Sequence, residues 1–358
     1  MVIGKSNHAL IRPKLGRNIA VVIALLTIGA GVYSYKLFGY VFHPIIKTEC
    51  DVFIGKDADI EVLKDSLVRK DALMDMKAFE FIAKKKMLSS KIKPGKYHLK
   101  KGTTGNNLVN QFIAGNQSPI VLTFNNVRFF PDLAKKVASQ LMIDSVSVLK
   151  MIDDSVKMQK FGFNKYSYPA MFVPNSYEMY WTISSEHWLD RMHKEYMRFW
   201  NAQRLGQAKK LKLLPVEVVT LASIVQEEVR HTDEMSKVAG VYVNRLKRGW
   251  PLQADPTIKF ALGDFTISRI LIQDLKIDSP YNTYVNKGLP PGPICFPSIS
   301  AVDAVLNYTH HNYLYFCANK TFDGYHAFAK SYRQHLINAR AYQNELNKRR
   351  IGFKSHRK

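Results

Sequence analysis

The spacing of apolar and polar residues along the 358-residue chain predicts an α+β fold, made mainly of helices joined by short strands. Stretches with helical spacing alternate with short runs rich in β-branched and aromatic residues. Helices are predicted at 59–88, 102–113, 131–151, 186–208, 215–230, 232–247, 300–306 and 331–350. Strands are predicted at 51–55, 92–99, 120–124 and 313–318.

Two stretches depart from this pattern. Residues 169–180 form an aromatic stretch that predicts irregular structure, and residues 249–293 are rich in proline and turn signals. Proline breaks helices and fixes loops, so the second stretch is predicted to consist of loops. Such loops can form the wall of a cleft, and they are also a common way to join helices.

The predicted helix at 215–230 carries a carboxylate at a position that should be apolar. Counting back from Glu228 by three, four and seven residues gives Val225, Ile224 and Leu221, which share its face of the helix. Burial raises the pKa of a carboxyl group toward the range that general acid catalysis requires. Glu228 is therefore a candidate general acid.

The neighbouring residues leave alternatives open. Glu227 counts back to polar positions and is predicted to be exposed to solvent. In a purely structural interpretation, Glu228 lies at the last turn of its helix, turns outward and pairs with Arg230 or Lys237.

The N-terminal segment predicts a membrane anchor. Residues 18–35 carry no charge, and as a helix they would span about 27 Å, close to the thickness of a bilayer core. The positive-inside rule then predicts a single-pass plasma-membrane protein with a cytoplasmic tail at 1–18, a transmembrane helix at 19–38 and the remaining chain outside the cytoplasm. A cleaved signal peptide is the alternative, although its apolar core would be shorter, about 7–15 residues.

The net charge of +23 requires anionic neighbours, for which nucleic acid, a membrane surface and an acidic polymer are candidates. No nucleic-acid-binding motif occurs, and the basic residues are spread along the chain, with a denser basic tail at 351–358. This distribution favours a surface neighbour, and no nucleic acid partner is predicted. The cysteines lack metal-ligand spacing, and His326 and His335 are interpreted as structural, so no metal is predicted.

Eight segments, in order, resemble the motifs of the endolytic murein transglycosylase family (MltG, or YceG-like, proteins). They are VPNSYE at 173–178, LASIVQEE at 221–228, VYVNRLKRG at 241–249, LQADPT at 252–257, SPYNTY at 279–284, GLPPGPI at 288–294, YLYFCAN at 313–319 and GYHAFA at 324–329. The segment at 92–115 resembles the family's LysM-like subdomain, and a single N-terminal anchor is also the family's arrangement.

The resemblance implies a LysM-like subdomain at 45–118 and a catalytic domain at 119–350. It implies a lyase that cleaves the β-1,4 bond between N-acetylmuramic acid and N-acetylglucosamine in peptidoglycan. The products end in 1,6-anhydromuramic acid, and the reaction would terminate the elongation of nascent strands. The implied partners are peptidoglycan strands, cell-wall synthases such as penicillin-binding proteins, and membrane lipid through the anchor. No cofactor is implied.

The resemblance also assigns the site residues. Many relatives carry an acid, a basic residue and an acid after ASIV, whereas this chain has Gln226, Glu227 and Glu228. Gln226 cannot donate a proton, so the third position matches the family's catalytic glutamate best, and Glu227 remains an alternative. Candidates for orienting the sugar and its acetamido group are Ser223, Asn244, Gln253, Tyr281 and Asn282.

Two other functions stay open. A glycosidase that uses water needs a second carboxylate, about 5–5.5 Å away in retaining enzymes and about 6.5–9.5 Å in inverting ones. Asp255 and Glu178 are the acids expected near the cleft, and either would make the protein a muramidase-type hydrolase. In a membrane-anchored peptidoglycan-binding scaffold, Glu228 would be structural. Asn244 and Asn282 also have structural interpretations, as a helix brace and a turn former.

Overall fold

A computed structural model describes residues 12–57 and 59–349. The predicted basic tail at 351–358 and residues 1–11 of the predicted cytoplasmic tail lie outside the described residues. The fold is α+β and mainly helical, as predicted. It divides into two compact units, the first comprising the chain up to Ile120 with Tyr180–Thr182, and the second Val121–Met179 with the chain from Ile183 onward.

The first unit contains two paired strands that are connected by helices. Its elements are α1 (Arg12–Phe42), β1 (Cys50–Ile54), α2 (Ile60–Arg69), α3 (Met76–Lys85), β2 (Gly95–Leu99) and α4 (Gly105–Ala114). The strands β1 and β2 are antiparallel, with Val52 opposite Tyr97. The single helix predicted at 59–88 is wrong, because Asp71 adopts a φ of 48° and Asp75 caps a new helix by accepting a hydrogen bond from Ala78 N.

Helix α1 contains the predicted transmembrane segment. Within the described residues it is the one helix long and apolar enough to cross a bilayer, over Arg17–Phe42, and none of that stretch is buried inside the protein. Its C-terminal end packs on the first unit, where the Tyr40 ring lies 5.6 Å from the Phe81 ring. An apolar helix that is exposed over most of its length fits a membrane anchor.

The second unit is helical with two short strand pairs. Its elements are β3 (Ile120–Phe124), α5 (Phe130–Ala138), α6 (Ser145–Asp153), α7 (Ser155–Lys160), β4 (Asn175–Met179), α8 (Ser185–Phe199), α9 (Ala202–Leu211), α10 (Pro215–Glu228), α11 (Met235–Lys247), α12 (Asp255–Leu262), α13 (Ile299–Leu306), β5 (Tyr315–Ala318), β6 (His326–Ala329) and α14 (Tyr332–Lys348). Strand β3 pairs with β4, and β5 pairs with β6 as an antiparallel hairpin.

Helix α10 lies at the centre of the second unit, in contact with α9, α11, α12 and α13. Every residue from Val218 to Val225 is buried, including Thr220 and Ser223. The predicted division of this helix into a buried stripe and a solvated polar side is therefore wrong. The two hydroxyl groups are tolerated inside because each donates a hydrogen bond to a carbonyl oxygen of the preceding turn.

The sequence analysis missed four elements, namely α7, α12, β4 and β6. Helix α12 begins with Asp255-Pro256 and ends at Gly263, whose φ is 71°, so its prolyl residue occupies the first turn, where the missing N–H costs nothing. Strands β4 and β6 form only through pairing with β3 and β5. The helices predicted at 131–151 and 186–208 each divide in two, where Asp144 and Asn201 cap new helices.

Candidate active site

Glu228 is the last residue of α10 and is half-buried. Its Oε1 accepts a hydrogen bond of 2.5 Å from the hydroxyl group of Tyr242, a fully buried residue of α11. The side chain is therefore held by the neighbouring helix. The alternative pairing with Arg230 or Lys237 does not occur among the ion pairs of the described residues.

The surroundings of Glu228 favour its protonated form. Burial raises the pKa of this carboxyl group to about 7, and the nearby negative charge of Asp255 acts in the same direction. The Tyr242 hydrogen bond and the positive charges of Arg245 and Lys259 oppose the rise. The position at the C-terminal end of α10, where the helix dipole disfavours negative charge, also favours the neutral acid. A carboxyl group of this kind can give and take a proton near neutral pH.

Glu228 lines a cavity of about 210 Å³ beside the β5–β6 hairpin. The other lining residues are Arg230, Ala318, Asn319, Phe322, Gly324, Tyr325, His326 and Tyr342. Three of them are aromatic, and the Phe322 and Tyr342 rings are stacked 5.0 Å apart. Aromatic side chains combined with a few polar groups are typical of a site for a small organic group.

Glu227, predicted to be solvated, is instead mostly buried and paired. Its Oε2 lies 2.7 Å from Arg128 Nη2, and its side chain is 17% exposed. The Arg128 guanidinium in turn stacks on the Phe265 ring at 4.0 Å. These contacts engage Glu227 in an ion pair within the protein, whereas Glu228 lines a cavity.

Ser223 is fully buried, and its hydroxyl group is used within the protein. The hydroxyl donates to Thr220 O at 2.7 Å and accepts from Ile294 N at 3.0 Å. It thereby ties the Pro-rich loop at 288–294 to α10. These contacts give Ser223 a structural role and leave it no access to a substrate.

Asn244 and Asn282 brace loops. Asn244 Nδ2 donates to the carbonyl oxygens of His311 at 2.7 Å and Tyr313 at 2.9 Å. Asn282 is 1% exposed, and its Nδ2 donates to the carbonyl oxygens of Leu275 and Ile277. These bonds match the structural interpretations left open by the sequence.

Gln253 and Tyr281 lie in the same turn-rich region. Gln253 is exposed and adopts a φ of 50°, a conformation that costs a non-glycine residue free energy and is common at functional sites. Tyr281 is buried, with its ring 4.5 Å from the Phe260 ring. Neither residue lines the cavity at Glu228, and of the two only Gln253 is accessible.

The two candidates for a second carboxylate differ in position. Asp255, the first residue of α12, is close enough to Glu228 to act on its pKa, and its Oδ1 accepts a 2.5 Å hydrogen bond from the Tyr284 hydroxyl group. Glu178 lies exposed on β4 and does not appear among the groups that act on Glu228. Within residues 12–57 and 59–349, no cluster of His, Cys, Asp or Glu side chains could hold a metal ion.

Sequence reasoning missed Tyr242 and assigned His326 a merely structural role. Both residues lie in recognised motif segments, 241–249 and 324–329. Membership of these motifs could have pointed to them, whereas spacing within one helix or strand could not. Glu234 was also missed, because its contact with His326 joins residues that are 92 positions apart in the sequence.

A half-buried acid at a helix end beside an aromatic cavity is an arrangement suited to general acid catalysis on a small organic group. The profile of the YceG-like family matches residues 52–341. The chain belongs to this family.

Two relatives share one name, and one solved structure has a similar fold. A Bacillus subtilis protein named endolytic murein transglycosylase is 29% identical over 309 residues, covering 81% of this chain and 83% of its own length. A Streptococcus pneumoniae protein of the same name is 27% identical over 361 residues, or 90% of this chain and 64% of its own. The crystal structure of a putative YceG-like protein from Listeria monocytogenes has a TM-score of 0.53 and 27% identity, covering 81% of this chain and 98% of that one.

Proposed function

We propose that this protein is an endolytic peptidoglycan lytic transglycosylase and that Glu228 is its general acid. The observation that carries the proposal is the Glu228 carboxyl group, which lines a cavity and has a pKa raised to about 7 by burial. The substrate class comes from the relatives, which are named murein transglycosylases. Murein is another name for peptidoglycan, so peptidoglycan strands are the proposed substrate.

In this reaction no water enters the product. Protonated Glu228 donates to the glycosidic oxygen while the bond to C1 of the muramoyl residue breaks. The muramoyl C6 hydroxyl group then attacks C1, which closes a 1,6-anhydro ring and releases one proton. In the simplest form of the mechanism the Glu228 carboxylate takes up that proton.

Asp255 keeps a second candidate function open. A muramidase-type hydrolase would use Glu228 as the acid and a second carboxylate as nucleophile or base. Asp255 is the acid near enough to Glu228 to influence its pKa, so it is the candidate for this role. The products distinguish the two functions, since hydrolysis leaves reducing ends.

The remaining assignments concern the anchor and the surroundings. Helix α1 would hold the protein in the plasma membrane with its N-terminus in the cytoplasm, and 119–350 would act on strands outside. The unit at 45–118 would serve as a LysM-like glycan-binding subdomain, supported by its polar cavity, which is lined by Asn107, Asn110, Gln111 and Asn116 among others. Penicillin-binding proteins are the proposed partners, since release of nascent strands limits their length.

The proposal is tested by incubating the full-length protein, in detergent micelles, with purified uncrosslinked peptidoglycan strands and analysing the products by mass spectrometry. We expect 1,6-anhydromuramoyl ends, reduced at least about 100-fold by Glu228→Gln and unaffected by the matched control Glu178→Gln. Reducing ends that disappear in Asp255→Asn would establish the hydrolase instead. Strands that bind and remain intact would favour the scaffold.

A further inference from the structure

The cavity at Glu228 contains a second group that can take up a proton. His326, on β6, lines the cavity together with Glu228. Of the other polar side chains there, Arg230 has no acceptor atom, the Asn319 amide is not basic, and Tyr325 and Tyr342 carry neutral phenol groups that accept a proton poorly. Besides Glu228, His326 is therefore the lining residue whose side chain offers a basic nitrogen.

A buried carboxylate fixes the His326 ring. Glu234 Oε2 lies 2.8 Å from His326 Nδ1, and Glu234 Oε1 accepts a 3.0 Å hydrogen bond from the His326 backbone N–H. The side chains of Glu234 and His326 are only 9% and 13% exposed. The Phe316 ring packs edge-on against the imidazole at 5.3 Å. The ring therefore has one defined orientation.

This contact also fixes the tautomer of His326. A carboxylate only accepts hydrogen bonds, so the Nδ1 atom facing Glu234 carries the proton. In the neutral imidazole the other nitrogen, Nε2, is then an acceptor. Nε2 makes no hydrogen bond within residues 12–57 and 59–349, so its lone pair is available to a substrate.

The hydrogen bond from Tyr242 limits how strong a base the ionised Glu228 can be. Once it has given up its proton, the Tyr242 hydroxyl group donates a hydrogen bond that stabilises the carboxylate, which weakens it as a base. A separate base would not be subject to this limit. A carboxylate behind a histidine stabilises the imidazolium that forms when the histidine takes a proton.

We propose that His326 is the general base of ring closure and that Glu234 is its positioning residue. The inference rests on the proposed function. As the C1–O4 bond breaks, O4 receives the Glu228 proton, and as the C1–O6 bond forms, the O6 proton passes to His326 Nε2. Glu228 ends ionised and His326 protonated, and exchange of one proton each with solvent restores both.

Two substrates separate the acid from the base. A leaving group that departs without a proton does not need the acid but still needs the base. We therefore compare natural strands with a short glycan whose terminal muramoyl residue carries a 4-nitrophenoxy group at C1, which leaves as 4-nitrophenolate. Glu228→Gln should be inactive on natural strands and recover most of its activity on the nitrophenyl substrate. His326→Gln should lose roughly 100-fold or more on both substrates.

Glu234→Gln tests the orientation of the histidine. The glutamine would accept from the His326 backbone N–H and donate to Nδ1, which moves the ring proton to Nε2 and removes the acceptor. We expect a loss similar to that of His326→Gln on both substrates, with a melting temperature close to that of the wild type. His187→Gln, an exposed histidine on α8, serves as the control and should retain full activity on both substrates.

Each contrary outcome is decisive. If Glu228→Gln stays inactive on the nitrophenyl substrate, or if His326→Gln turns it over at the wild-type rate, Glu228 performs both steps. If the His326 and Glu234 variants both unfold, the pair is a folding element and the inference fails. If the wild-type protein releases no 1,6-anhydro ends, the proposed function itself fails, whereas an active His326→Gln variant overturns the inference alone.

Discussion

The pKa of Glu228 depends in part on the hydrogen bond from Tyr242, so removing this bond should change the pH dependence of the activity. As a general acid, Glu228 works only while protonated, so kcat/KM should fall as the pH rises through its pKa of about 7. The Tyr242 hydroxyl group favours the ionised form and holds this pKa down. Tyr242→Phe should therefore raise the pKa and move the alkaline limb of the pH–rate profile to higher pH.

The measurement is kcat/KM on peptidoglycan strands between pH 5 and 9, with Tyr308→Phe as the matched control. Tyr308 is buried, but its hydroxyl group accepts from Lys247 rather than bonding to Glu228. An unchanged or lowered alkaline limb in Tyr242→Phe would contradict the assignment of Glu228 as the acid.

The same carboxyl group should make the protein less stable at alkaline pH. Its pKa is raised on folding from 4.5 to about 7, so the folded state loses stability as the pH rises through this window. Glu228→Gln removes the penalty. At pH 4 the variant and the wild type should have the same melting temperature. At pH 8 the variant should melt at a higher temperature, and its free energy of unfolding should exceed that of the wild type by at most about 3 kcal/mol. A difference that is equal at both pH values would rule out the raised pKa.

At the scale of elements, the site depends on how closely α11 approaches the loop before β5. A Cβ atom at Gly240 would come within 2.5 Å of Thr309 O and 2.7 Å of His311 Nε2. Tyr242 follows two residues later on the same helix, so the close approach that glycine permits also sets where the Tyr242 hydroxyl group meets Glu228.

Gly240→Ala should therefore destabilise the protein by about 1–3 kcal/mol and lower its activity, because a backbone oxygen cannot easily move away. The matched control is Gly206→Ala on α9, where a Cβ atom has nothing within 4 Å. That change should stabilise the protein by roughly 0.5–1 kcal/mol, as alanine favours helix. Chemical denaturation measures both, and similar shifts in the two variants would refute the packing argument.

At the scale of the whole molecule, the proposed anchor and the net charge of +23 are consistent with a protein held near an anionic membrane surface. The proposed topology predicts that a cysteine replacing exposed Lys56 reacts with a membrane-impermeant maleimide in intact cells, after the three native cysteines are removed. A cysteine replacing Ser6 should react only after the membrane is permeabilised. The reverse pattern would invert the orientation.

Local sequence patterns predicted many of the helices and strands and singled out Glu228 as a candidate. Helical spacing over 215–230 located α10 and drew attention to Glu228, whose raised pKa agrees with the expected shielding. Strands β1, β2, β3 and β5 were also predicted, because turn residues and periodicity depend on neighbours within a few positions. The unbroken apolar run likewise predicted the apolar helix α1.

Tertiary structure alone decided the partners of these residues. The chain brings Arg128 to Glu227 across 99 positions and Glu234 to His326 across 92, and no local period encodes such pairs. Ser223, Asn244 and Asn282 lie in recognised motifs, yet their hydrogen bonds are directed at the protein's own backbone. A polar side chain in a motif serves either substrate or fold, and only the atoms within hydrogen-bonding distance distinguish the two roles.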